Sequence, residues 1–132
     1  MMKVLIVESC KELATVWGRH LERLGAEVAQ AHDADSAIDL IRKEDFDVLV
    51  LNLVLDEGSA LAVSDFVEYR SPGTSVIFVT DTTFFSDGSI FSMTSNARAL
   101  VRSGAPPEDI AAMVEHYATH AMDRAAPLAT GR

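Results

Sequence analysis

The sequence predicts an α/β protein built on a doubly wound parallel sheet, with helices on both faces. Three observations lead there. Short apolar runs rich in β-branched residues recur along the chain: KVLIV, AEVAQA, FDVLVL, SVIFVT and ARALV. The stretches between them place apolar residues three and four apart, the spacing of a helix with one buried face. The two patterns alternate without an internal repeat or a low-complexity linker, as parallel strands joined by crossover helices require.

Each element carries its own signal. Residues 3–7 read as the first strand. Residues 11–24 place Leu13, Val16, Trp17, Leu21 and Leu24 at helical spacing, and Gly25 supplies the stop. AEVAQA (26–31) is a weaker second strand. The next helix, 33–43, has an Asp/Ser-rich start and turns Ala37, Ile38, Leu40 and Ile41 to one face. Phe46–Leu51 is the third strand, and Gly58 and Ser59 mark a loop before a helix over 60–70. SPGT (71–74) is a turn leading to the fourth strand, 75–80. The segment 81–96 is rich in Thr, Ser, Asp and Gly, which favour turns over helix interiors, so a short or mobile helix is expected there. Residues 97–101 form a short fifth strand. Pro106 and Pro107 open the last helix, with Glu108 and Asp109 in its first turn and Ile110, Met113, Val114 and Tyr117 toward the core. Five such strands are expected in the flavodoxin-like order 2-1-3-4-5, whose ligands lie beyond the carboxyl ends of the strands. The domain is expected to span 1–121, with a frayed tail over 122–132.

Composition excludes several classes. A chain of 132 residues suits one domain with one core. Its net charge of −9, with basic residues scattered, disfavours direct nucleic-acid binding. No apolar run approaches the roughly 20 residues that span a bilayer. MMKVLIV is too short for a signal-peptide core, so a cytoplasmic location is expected. The single cysteine, Cys10, rules out a disulfide framework and a thiolate metal site.

The residues at the predicted strand ends are Glu8 and Ser9, Asn52, Thr80, and Arg102 with Ser103. Their order and spacing resemble the receiver domain of bacterial two-component response regulators, over residues 3–121. VLIVES stands where that family has a strand ending in two acids. VLVLNLVLDEGSAL aligns without a gap on the phospho-acceptor segment. VIFVTD matches a strand ending in Thr or Ser, and NARALVRSGAPPEDI the stretch that carries a lysine followed by proline. The resemblance implies a non-enzymatic role in signal transduction through a protein partner.

The family's functional residues do not carry over intact. The resemblance implies an aspartate nucleophile at position 52, but Asn52 has an aspartate's shape without its anion. It also implies an acid pair that helps to hold Mg²⁺, a hard cation preferring charged oxygen. Here Glu8 remains and Ser9 replaces the second acid, so Mg²⁺ binding is expected to be lost or very weak, and no other cofactor is expected. The lysine position falls on Ser103 by spacing from Pro107, or on Arg102 if one residue shifts. Gly104 follows where the family has proline, so no cis peptide is expected. Thr80 is retained, while Leu100 stands where the family carries a switching aromatic residue.

These departures together describe a degenerate receiver, or pseudo-receiver. Three clustered carboxylates without a metal would repel one another, and Asn52 and Ser9 are expected to relieve that repulsion. The leading expectation is a stand-alone adaptor that binds a protein partner without phosphorylation. Its contact face would be the fourth helix, fifth strand and last helix, which is also a surface for a homodimer. Phe84 and Phe85, adjacent aromatics in a polar segment, and Leu100 are its candidate residues. One alternative is a conventional phosphorelay regulator phosphorylated on another acid, Asp56 or Asp81. The other, a flavodoxin-like small-molecule binder, lacks a GxGxxG or GxxxxGK phosphate loop.

Overall fold

The computed structural model describes residues 2–80, 97–102 and 104–129. Its elements are β1 (Lys3–Val7), α1 (Lys11–Arg23), β2 (Glu27–Ala31), α2 (Ala34–Lys43), β3 (Val48–Asn52), α3 (Ala60–Arg70), β4 (Ser75–Thr80), β5 (Ala97–Arg102) and α4 (Pro107–Ala129). The strands form one sheet in the order β2-β1-β3-β4-β5, every neighbouring pair parallel. This is the flavodoxin-like order that the sequence predicts. The helix expected within 81–96, with Asp81, Phe84 and Phe85, lies outside the described residues, as does Ser103.

The interiors of the three central strands, Val4–Val7, Val48–Leu51 and Val76–Val79, are apolar because both faces of the sheet are covered. Successive side chains point to opposite faces, which divides the core into two layers. Leu5, Val7, Leu49, Leu51, Val76 and Phe78 pack against α2 and α3, chiefly through Ala37, Ile41, Val63 and Val67. Val4, Ile6, Val48, Val50, Ile77 and Val79 pack against Trp17 and Leu21 of α1 and Ile110 and Val114 of α4. The weak signal of β2 has a simple cause: it is an edge strand, and only Ala31 in it is buried.

Two sequence expectations need correction. Val16 and Leu24 fit the helical spacing but are 40% and 44% exposed, and the inner face of α1 is instead Ala14, Trp17, Gly18 and Leu21. α1 closes in a Schellman turn: Gly25, at φ +89°, donates to the Glu22 carbonyl (2.9 Å) and Ala26 to that of Leu21 (3.1 Å). This lifts Leu24 off the core. The third strand begins at Val48 rather than Phe46, whose carbonyl accepts from the Thr74 hydroxyl (2.6 Å), and it extends through Asn52. α4 continues past residue 121 as far as Ala129. The Ala, Met, Arg and Leu of that stretch are among the strongest helix formers. No helix among the described residues is long and apolar enough to cross a membrane.

α2 starts on a side-chain cap, with the Ser36 amide donating to Asp33 Oδ1 at 2.7 Å. That backbone N–H, in first place, holds the Asp33 carboxyl below the usual carboxylate range. A carboxyl whose folded pKa is depressed stabilises above its unfolded pKa and ceases to as pH falls through the folded value. Asp33→Ala should therefore lower the melting temperature at pH 7, and the gap to the parent protein should narrow below about pH 4. Thermal melts at both pH values check this; an equal gap at both would contradict it.

Candidate functional site

The chain order reverses between β1 and β3. From β1 it passes outward to β2, then crosses back to β3 on the other side. Such a switch point opens a crevice at the carboxyl ends of the two strands. Glu8 directly follows β1 and Asn52 ends β3, so the topology alone brings them together. The pairing is tight on both sides. The Glu8 amide donates to the Ala31 carbonyl of β2 (3.0 Å), and the Leu53 amide to the Val79 carbonyl of β4 (2.8 Å).

Glu8 is 4% exposed. A buried carboxylate is costly unless donors meet it, and two do. Asn52 Nδ2 donates to Glu8 Oε1 at 2.7 Å, and the amide of Cys10, the residue capping α1, donates to Oε2 at 3.0 Å. The second contact places the carboxylate at the positive end of the α1 dipole. Asn52 Oδ1 in turn accepts from the Val54 amide at 2.9 Å. The amide thus has one orientation: a flip would set oxygen against carboxylate and nitrogen against N–H. An aspartate at 52 could accept from Val54 but would have no proton for Glu8.

Ser9 lies beside this pair. Its hydroxyl donates to the His32 carbonyl (3.2 Å), after β2, and accepts from the Asp56 amide (2.9 Å), after β3. Thr80 ends β4 and is 2% exposed. Arg102 pairs with it in register at the end of β5 and is exposed. The structure therefore joins Glu8 and Asn52 directly and sets Ser9, Thr80 and Arg102 around the same end of the sheet. Ser103, Phe84 and Phe85 lie outside the described residues. Leu100 is half-buried and packs against the α2–α3 core layer, so it offers a partner only part of its surface. Sequence reasoning missed the backbone partners, the amides of Cys10, Val54 and Asp56 and the carbonyl of His32. Every residue type carries such groups, so no sequence signal distinguishes them.

The donor set has a chemical consequence. Mg²⁺ takes oxygen ligands in near-octahedral array, whereas the Glu8 oxygens face N–H donors and Asn52 turns its nitrogen toward them. Among the described residues, no group of three or more His, Cys, Asp or Glu side chains could hold a metal ion.

Comparison with known proteins shows the family and the fold. Residues 4–115 match the family model of the response regulator receiver domain. The response regulator receiver domain protein (CheY-like) from Methanospirillum hungatei JF-1 has 21% identity and a TM-score of 0.85, over 94% of this chain and 98% of that one. The N-terminal domain of a response regulator/sensory box/GGDEF 3-domain protein from Carboxydothermus hydrogenoformans has 21% identity and a TM-score of 0.81, over 93% and 98%. A response regulator protein from Burkholderia pseudomallei, solved with a phosphorylated aspartic acid, calcium ion and citrate, has 23% identity and a TM-score of 0.77, over 96% and 74%. No curated protein matches the chain. The sheet order, the crevice at its switch point and the match over most of the length define a receiver fold. The chain belongs to the response regulator receiver domain family of two-component signalling.

Replacing Asn52 by Asp would set two carboxylates in contact where a 2.7 Å hydrogen bond now stands. Asn52→Asp should lower stability at pH 7 by about 1–3 kcal/mol, the cost of leaving a buried charged group without its partner. The loss should shrink as pH falls and one carboxyl takes up a proton. Denaturant melts at neutral and acidic pH measure it; a variant as stable as its parent at pH 7 would contradict the proposed role of the amide.

Proposed function

We propose that this receiver domain is a pseudo-receiver that signals without phosphorylation, as a non-enzymatic adaptor binding a protein partner of a bacterial signalling pathway. One observation carries the reading. At the position where the family resemblance implies the phospho-acceptor, Asn52 gives its amide to Glu8 instead of offering an anionic oxygen. Phosphoryl transfer to protein needs such a nucleophile, and an amide oxygen already accepting from Val54 is a poor one.

The surrounding residues support the same reading. Ser9 supplies a neutral hydroxyl in place of a second acid and spends it on two backbone groups. With the Glu8 oxygens taken by amides, Mg²⁺ binding is proposed to be lost or very weak. Of the alternative acceptors, Asp56 sits on the exposed loop after β3 with its amide tied to Ser9. The contact surface proposed is the face of the fourth helix expected within 81–96, β5 and the last helix, with Phe84, Phe85 and Leu100 as its candidate residues, for a protein partner or a second copy of the chain. A cytoplasmic site of action, without nucleic-acid or membrane binding, fits the acidic charge of −9.

Incubation with a small-molecule phosphodonor and Mg²⁺, read by intact mass, tests the reading. The mass is expected to stay unchanged. A stoichiometric phosphoryl adduct on any residue would overturn it.

A further inference from the structure

The loop between β3 and α3, residues 53–59, has no regular structure but is tied along its length. At its entry the Val54 amide donates to Asn52 Oδ1 (2.9 Å). At its middle the Asp56 amide donates to Ser9 Oγ (2.9 Å). Near its end the Glu57 carbonyl accepts from Ala34, the first residue of α2 (3.3 Å). Gly58 follows at φ +88°, where a Cβ would stand 2.4 Å from that of Ala34. Only glycine allows both that backbone conformation and that approach.

Ser9 is the member of this set that joins three loops. Its single proton goes to the His32 carbonyl at 3.2 Å, and a lone pair takes the Asp56 N–H. The loops after β1, β2 and β3 therefore meet at one oxygen. Alanine can make neither contact and threonine can make both. A carboxylate could accept from Asp56 but, lacking a proton, would repel the His32 carbonyl.

We infer that Ser9 is a positioning residue, a latch through which the chain itself fixes the β3–α3 loop over the α2 start. The latch deepens the phosphorylation-independent reading by naming what would set the shape of the site end. It rests on that reading for its meaning in signalling, but its test uses no phosphodonor, so either can fail while the other stands.

The test is limited proteolysis of the full chain by a Glu-specific endoproteinase, with each cut identified by fragment mass. Cleavage in a folded protein follows the population of the locally open state. Ser9→Ala should speed the cut after Glu57 by about tenfold, the loss of one or two hydrogen bonds holding the loop. Cuts in α1 and α3, after Glu22 and Glu68, should stay at the parent rate, and Ser9→Thr should restore the slow cut. An unchanged rate after Glu57 in Ser9→Ala would overturn the latch. So would acceleration of all cuts by one common factor, which marks general destabilisation, or a failure of Ser9→Thr to restore the parent pattern.

Discussion

The hydrogen bond from the Asn52 amide to the Glu8 carboxylate is the contact on which the end of this sheet is organised. It crosses the switch point between β1 and β3, where the receiver fold leaves a crevice. Glu8 is buried there, and a carboxylate out of water without donors is strongly disfavoured. A charge-assisted hydrogen bond contributes about 1.5–3 kcal/mol, so Asn52 and the Cys10 amide together offset much of that penalty. Each partner constrains the other. Glu8 fixes which way the Asn52 amide points, and the orientation of that amide leaves its oxygen for Val54.

The rest of the fold serves this contact by holding two strand ends in register. β1 and β3 are adjacent and parallel, with Val7 opposite Leu51, so the next residues, Glu8 and Asn52, are brought side by side. Core side chains on both faces of the sheet keep that register, because a slip of one residue would turn every apolar side chain to the wrong layer. The site's geometry is therefore as firm as the core beneath it. Around it, the Asn52 amide nitrogen and the Cys10 N–H meet the Glu8 carboxylate, and the Ser9 hydroxyl ties the neighbouring loops.

Much of this was legible in the sequence. The alternation of apolar runs with helical spacing revealed the sheet and its class, since short runs such as VLIV, VLVL and VIFV, set between helical stretches and turn signals, fit strands covered on both faces. Glu8, Ser9, Asn52, Thr80 and Arg102 were legible because each follows or ends such a run. Less was legible where several residues share a pattern. Val16 and Leu24 match helical spacing as well as Trp17 and Leu21, and only the packing of α1 against the sheet separates them. The role of Ser9 was hidden for another reason: its partners are backbone groups brought together only by the folded loops.

A structure determined with Mg²⁺ and a beryllofluoride mimic of the phosphoryl group tests the central claim most directly. The account predicts that Asn52 Nδ2 stays within about 3 Å of Glu8 Oε1, with no cation on Glu8 and no anion on Asn52. A cation held between Glu8 and Asn52, with the mimic seated on position 52, would contradict it.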